Sequence, residues 1–387
     1  KLTRRRNPDT WPLLLACSLF DRGAGASRLA LGYVADLSLA DRDSALAHLQ
    51  RLFLVNRTES DRFWVLPIVQ RYASQKFPSE KFGEELIDRW LGWLVNFAQT
   101  NGADLEWQIE RLGEYNQEYL NLLNAIRWCQ EQKRWRPLLK LAEGTWSYPY
   151  LVGLFHEFKE ILNAALDAAK ATNDEGMEGR VELQLARVAA IQWQSEEMAL
   201  GHLEKAEELA RRYDNEIDLA EAWSTRTDIL CNQERLDEAI DKANETLTLG
   251  EQTNNLRVKW LAADRLANIQ SHKRNFEESA RWLDQAEAWA RDLNSSRRLA
   301  GTLNRRGVDL IRQGKYEAAE SYLLKALEMH SSWGGRRYIA YVKRRLAEVY
   351  FNTGRIQLAR QFAVEAHDTF ERLGMTWDME QVAEALR

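Results

Sequence analysis

GKYEAAESYLLKAL, Gly314 to Leu327, opens with a turn glycine, a basic residue and an apolar residue, and sets a small residue three places on, at Ala319. It reads as a turn leading into an amphipathic helix. GRIQLARQFAVEAH (Gly354 to His367) and RNFEESARWLDQAE (Arg274 to Glu287) repeat the pattern. The small residues form a column, Ala199, Ala239, Ser279, Ala319 and Ala359, every step being 40. A second column, seven positions later, reads Ala206, Thr246, Ala286, Ala326 and Ala366. A looser copy, GLFHEFKEILNAAL, puts Phe158 and Ala165 in those columns, 41 residues before the next. The spacing predicts an array of about six helix pairs over 135–387 with a period near 40. Neither helix of a pair can bury its apolar stripe alone, so stacked neighbours build one continuous core. Small side chains are expected where helices cross closely. All six prolines lie at or before Pro149, which leaves the array free of the strongest helix breaker.

These columns resemble tetratricopeptide (TPR) repeats. Large-then-small pairs stand at Leu266-Ala267, Arg306-Gly307 and Leu346-Ala347, and Trp223 lies four residues before Thr227, where that family often carries a Trp. The family's usual period is about 34; the pairs here are longer, as in bacterial arrays with extended helices, and lack the proline at the repeat end. The resemblance runs from Trp135 to the end of the chain. It implies a mostly all-α fold with a right-handed helical superhelix.

The front of the chain has a different texture. TWPLLLACSLF reads as a helix with Asp9 or Thr10 as N-cap and Pro12 in its first turn. A loop, DRGAGA, precedes a second helix near Ser27 to Ala35, and DRDSALAHLQRLF forms a third, led by Asp41 or Asp43. LVNRTESDRFWVL follows as two short strands joined by a polar turn. Three helices and a β-hairpin over 9–80 make a small winged-helix domain. Residues 1–8, with the basic start KLTRRR, read as a linker from a missing upstream domain, and 81–134 as a helical connector.

A winged helix ending in LPIVQRYA, then YNQEYLNLLNAIRWCQEQKRWRPLLKLAEGTWSYPYLVGLFHEFKEILNAAL, resembles the C-terminal half of bacterial STAND signalling ATPases of the NB-ARC class. Their "NL..A..W" signature is met by Asn121, Leu122, Ala125 and Trp128, and the Trp146-to-Gly153 stretch also fits. The resemblance implies a nucleotide-binding domain upstream, contacted by the winged helix at Leu66 and Pro67. In the family a histidine often stands at the Leu66 position against the ADP phosphate; leucine has no hydrogen bond to offer there. ATP or ADP with Mg is expected only with the upstream domain, and no cofactor in this fragment.

Several function classes find no support in the sequence. There is no GxxxxGK[ST] phosphate loop, no HExxH and no GxSxG. The six histidines are scattered, and Cys17, Cys129 and Cys231 lie far apart, which fits a reducing cytoplasm better than a disulfide or zinc framework. Among 387 residues, 45% hydrophobic and 29% charged, the longest apolar run is WPLLLACSLF, about half of what a bilayer span needs. The net charge of −5 and a third helix offering only His48, Gln50 and Arg51 to a groove argue against nucleic acid as a partner.

A binding surface is better supported. In stacked repeats the first helix of each pair lines the concave face. One first-helix column reads Thr225, Arg265, Arg305, Arg345; its neighbour reads Ser224, Asp264, Asn304, Arg344; a third reads Asp228, Asn268, Val308, Glu348. Successive arginines would stand on the order of 10 Å apart, the scale of helix packing. An acidic ligand would relieve their repulsion, with Asn268 and Asn304 available to a peptide backbone. Alternatively Arg305 pairs with Asp309, four residues on, while Asp264 and Glu348 offset the other arginines. Trp193, Trp223, Trp260, Trp282 and Trp289 are expected in the core. The function that follows is a non-catalytic sensor region binding a protein or peptide on the TPR concave face and controlling activation or oligomerisation. The alternative is a free-standing TPR scaffold or transcriptional regulator whose winged helix binds DNA.

Overall fold

The computed structural model describes residues 8–77, 82–102, 104–192 and 196–385. The KLTRRR start and Trp193 lie outside them. The chain forms two compact units, Lys1–Ala103 with Gly113–Tyr148, and Asp104–Leu112 with Pro149–Arg387. The expected boundaries after residues 80 and 134 both fall within the first unit.

The first unit opens with α1 (Thr10–Leu19), β1 (Ala26–Ser27), α2 (Arg28–Ala35), α3 (Leu39–Arg51), β2 (Val55–Arg57), β3 (Arg62–Val65) and α4 (Pro67–Ser74). The three helices and hairpin are as expected, with one strand more. β1 pairs antiparallel with β3, which pairs with β2, giving the order β1-β3-β2. A two-residue strand at the end of DRGAGA, Ala26 and the following Ser27, is too short to leave a period-2 signal. Helix α3 begins at Leu39, ahead of Asp41 and Asp43, because Ser38 is the N-cap and its Oγ accepts from the Asp41 amide at 3.2 Å. Pro67 starts α4 at a position where no amide hydrogen is missed.

Helices α5 (Gly83–Gly102), α6 (Leu112–Glu131) and α7 (Trp135–Thr145) follow, and α8 (Ser147–Val152) bridges into the second unit. The signature residues tie α6 to the DRGAGA loop. Buried Asn121 accepts from the Asp21 amide at 2.7 Å and donates to Gly25 O at 2.9 Å and Glu118 Oε2 at 2.7 Å. Arg62 meets Glu118 at 2.6 Å and donates to Ala24 O and Gly25 O. Leu122 and Ala125 are fully buried, and Trp128 packs edge-on against Trp90. The Asn121, Glu118 and Arg62 side chains thus satisfy one another and the loop, as burial requires.

The second unit holds α9 (Phe155–Thr172), α10 (Glu175–Gln192), α11 (Glu196–Arg212), α12 (Glu216–Asn232), α13 (Leu236–Gln252), α14 (Leu256–His272), α15 (Phe276–Asp292), α16 (Ser296–Arg312), α17 (Tyr316–Ser332), α18 (Arg336–Asn352), α19 (Ile356–Arg372) and α20 (Thr376–Ala385). From α11 onward every helix starts 20 residues after the last. The 40-residue period is thus two equal half-periods. One backbone feature marks each half: a residue at positive φ, at Asp214, Glu234, Asn254, Arg274, Asn294, Gly314, Gly334, Gly354 and Gly374. At Gly314 the following amide, Lys315 N, reaches Leu310 O and Gly314 N reaches Ile311 O, both at 2.9 Å. That is the left-handed helix ending which glycine adopts most easily.

The expected small columns are buried throughout, from Ala199 to Ala359 and from Ala206 to Ala366. At Gly307 a Cβ would lie 2.6 Å from the Leu323 side chain of the partner helix, so any larger residue at this crossing would have to displace Leu323. Trp223 and Trp260 are buried and Trp282 and Trp289 partly so. First helices of successive pairs pack on one another, α10 on α12, α12 on α14, α14 on α16 and α16 on α18, which puts them on the inner side. The array returns on itself: Gln192 of α10 reaches Leu373 O at 3.5 Å, and Gly153 (φ +83°) packs under the Leu373 side chain.

Candidate functional site

The inner face carries two arginine columns on the same helices. The mid-helix column is the expected one. Arg265 reaches Asp228 at 3.0 Å, Asp264 at 2.8 Å and Ser224 Oγ at 2.8 Å. Arg305 grips Asp264 with two bonds of 2.9 Å, so its partner is the preceding repeat's acid and not Asp309. Asp309 is turned the other way, accepting from buried Ser279. Asp264 is 4% exposed and serves both arginines. Burial would raise its carboxyl, but Arg305 and Arg265 hold it below the usual range. Asp228 goes the other way, raised by burial despite the same arginines.

Arg345 is less well compensated, with Glu348 at 3.4 Å; burial, then Arg344, push it down to about 10. Arg344 pairs with Asp378 at 3.0 Å. Asn268 and Asn304 are half-buried on this face. The structure places five of the expected site residues in two separate places, and Asp264, Asn268, Asn304 and Arg305 line neither. Ser224, Asp228 and Arg265 line a cavity of about 240 Å³ with Tyr150, Arg187 and Tyr341. Arg344 and Arg345 instead border an open groove of about 710 Å³ with Phe351, Ile356 and Trp377.

The other column, Arg257, Arg297 and Arg337, sits in the first turns of α14, α16 and α18, again at steps of 40. Arg257 and Arg297 hold the segment Asp104–Leu112, a run of turns and one short 3-10 helix, Ile109–Arg111, that leads into α6. Asp104 pairs with Arg257 at 2.5 Å. Glu106 accepts two bonds from Arg187, at 2.9 and 2.7 Å, and lies 3.3 Å from Arg297 and 3.9 Å from Arg298. Arg297 Nε also donates to Glu106 O at 2.8 Å. Trp107 packs edge-on against Trp260 at 6.1 Å, with Arg298 at 4.4 Å and Arg257 at 5.3 Å over its ring. Burial alone would raise the Glu106 carboxyl, yet Arg187 and Arg297 bring it down to about 2. Burial and neighbouring Arg297 push Arg298 down to about 9, still charged at neutral pH. Arg337 and Arg187 lie over the Tyr150 ring at 4.5 and 4.1 Å. Sequence reading missed this column and Glu106, although the same 40-residue step, tested at the helix starts, picks out the three arginines.

In the first unit, Leu66 is the N-cap residue of α4 and is exposed, as is Pro67. A leucine offers no donor to a phosphate, so this position does not fit a nucleotide contact of its own. The three cysteines are buried and free, and burial raises each thiol, Cys129 and Cys231 to about 12. Among the described residues no helix is long and apolar enough to cross a membrane.

Residues 298–372 match the tetratricopeptide repeat family model. No curated protein matches the chain. Among solved structures, a Signal Transduction ATPase with Numerous Domains (STAND) protein with a tetratricopeptide repeat sensor, from Pyrococcus horikoshii, matches with a TM-score of 0.61 at 17% identity. The match covers 98% of this chain and 53% of that one, so this chain spans about half of its length. A Rap protein complexed with Competence and Sporulation Factor matches with a TM-score of 0.50 at 11% identity, over 82% of this chain and 92% of that one. At these identities what the matches share with the chain is the overall fold.

Proposed function

We propose that this chain is the sensor region of a STAND-type signalling ATPase, with a peptide or protein partner bound on the inner face of its first helices. The observation that carries the reading is the convergence of charged side chains from α10, α12, α14 and α16 on one cavity of about 240 Å³. Arginine forks and carboxylates at the mouth of such a cavity suit the charged and amide groups of a peptide. A STAND protein with a TPR sensor matches nearly the whole chain, and a Rap protein that matches its fold was crystallised with Competence and Sporulation Factor. The residues assigned to the partner are Ser224, Asp228, Asp264, Arg265, Asn268, Asn304, Arg305, Arg344 and Arg345.

The first unit contributes an exposed apolar patch for docking on an upstream nucleotide domain: Leu66 is 39% exposed, Ile68 71% and Tyr72 54%, beside Pro67 on α4. ATP or ADP and Mg belong to that domain in this reading, and the chain itself performs no catalysis. Binding of the partner would have to favour one of two states to act as a switch. The alternative of a DNA-binding winged helix is the weaker one. Arg28 is held by Asp61 and Asp43 at 2.9 and 3.0 Å, and Arg42 is buried against Asp43, so these charges are spent within the domain. The reading frame upstream of Lys1 tests the proposal. A GxxxxGK[ST] string followed by an apolar strand ending in Asp supports it, and a frame without one overturns it.

A further inference from the structure

Asp104–Leu112 is held as a bound peptide would be. Its backbone makes its own short turns, Trp107 N and Gln108 N both to Asp104 O at 2.8 Å. What fastens it to the array is a set of side-chain anchors: Glu106 in its arginine cluster, Trp107 against Trp260, Asp104 on Arg257, and Glu110 accepting from Ser296 at 2.8 Å. A bidentate carboxylate next to a desolvated aromatic ring is the pattern of an interface hot spot. The arginines also make an occupant necessary. Arg187, Arg297 and Arg298 meet around Glu106, and with it gone three cations would be left with one array carboxylate, Glu221, 3.5 Å from Arg187, and little water to screen them. Arg298 Nε and Trp260 Nε1 have no hydrogen-bond partner among the described residues, so Asp104–Leu112 leaves part of the site's donor capacity unused.

We infer that the pocket of Arg187, Arg297, Arg298 and Trp260 is a recognition site for a peptide carrying an acidic residue followed by an aromatic one, and that Asp104–Leu112 is its exchangeable resident. This deepens the sensor reading and rests on it for the output. The resident is continuous at both ends with helices of the first unit, α5 and α6, so its expulsion by an incoming peptide is transmitted along the chain. An arriving peptide competes with a segment whose effective concentration is high, about millimolar for a short tether.

The probe is a fluorescently labelled nonapeptide with the chain's own sequence, DLEWQIERL, titrated into the full chain. In a Glu106→Gln, Trp107→Ala double variant the cis competitor is weakened, and the peptide should bind at least about tenfold tighter than to the unaltered chain. A control peptide with glutamine for its first glutamate and alanine for its tryptophan should not bind. Equal affinities, or no binding to the folded double variant, overturn the inference. Should that variant lack a cooperative melt, hydrogen exchange on the unaltered chain decides: excess peptide should raise exchange at 104–112, and unchanged protection overturns it. A failed peptide exchange with a phosphate loop upstream leaves the sensor reading intact. Peptide exchange without that loop leaves a peptide-binding adaptor.

Discussion

Two arginine columns rise through α14, α16 and α18 with the same 40-residue step, eight residues apart, and they end in different chemistry. Arg265 and Arg305 in the mid-helix column are neutralised inside the array, chiefly by Asp264. Arg257 and Arg297 in the helix-start column take their anions from Asp104 and Glu106, which arrive from outside the repeats, while Arg337 lies over Tyr150. Position along the helix accounts for part of the difference. A helix N-terminus already favours an anion through its free amides and dipole, so arginines placed there sharpen an attraction the backbone begins. Mid-helix arginines have no such help and lean on acids one repeat back. Periodicity therefore identifies a ladder of charge, but not whether it faces a ligand or its own neighbours.

The comparison breaks most visibly at the buried anion. Arg297→Ala removes two of the contacts to Glu106 and should cost about 3 kcal/mol in urea unfolding of the full chain. Arg265→Ala should cost less, about 1 to 2 kcal/mol, because Asp264 and Glu106 each keep another arginine but Arg265 is 16% exposed against 5% for Arg297. Equal losses would mean that the two columns carry their charge in the same way.

A pH series sharpens the same contrast. Buried His330 is pushed down to about 3 by burial, then by Arg297 and Arg337. It stays neutral in the folded chain while the unfolded chain takes up a proton below about 6.5. Stability should therefore fall as pH drops from about 6.5 toward 3, and His330→Phe should remove that part of the fall in the thermal midpoint. Glu106, held down to about 2, contributes stability that is complete above about 4.5 and is lost as pH falls from there toward 2. His272, pushed down to about 4 by burial and then by Arg312, leaves a residual fall in the same window; a midpoint that drops as far in His330→Phe as in the unaltered chain would place the titrating group there and not at His330.

The smallest effect concerns the turns. Arg274 occupies the left-handed position that glycine fills at Gly314, Gly334, Gly354 and Gly374. Arg274→Gly should stabilise the array by about 0.5 to 1 kcal/mol, since a side chain at positive φ is strained. A destabilised variant would mean that the arginine side chain does more at this turn than its backbone costs.

The repeat was legible because helix packing imposes it on local sequence. Close crossings demand small residues, as at Gly307, and equal helices with equal turns put them in register. The winged-helix region was legible from its apolar runs and polar turns, except for β1, whose two residues, Ala26 and Ser27, carry no pattern of their own. Ser38, overlooked in favour of Asp41 and Asp43, shows the usual uncertainty of a helix start read from sequence. The candidate site was half legible. Ser224, Asp228 and Arg265 share a cavity as their columns implied, but Arg344 and Arg345 border a different groove.

By itself the sequence determined the all-helical array, its period and the residues on its inner side, since each follows from contacts within about 40 positions. Only the tertiary structure decided what those residues meet. Glu106 lies 81 positions from Arg187 and 191 from Arg297, and Gln192 lies 181 from Leu373. Partners so far apart are chosen by the accumulated curvature of the stacked pairs. That curvature sums small rotations at every helix crossing, and no single repeat records the total.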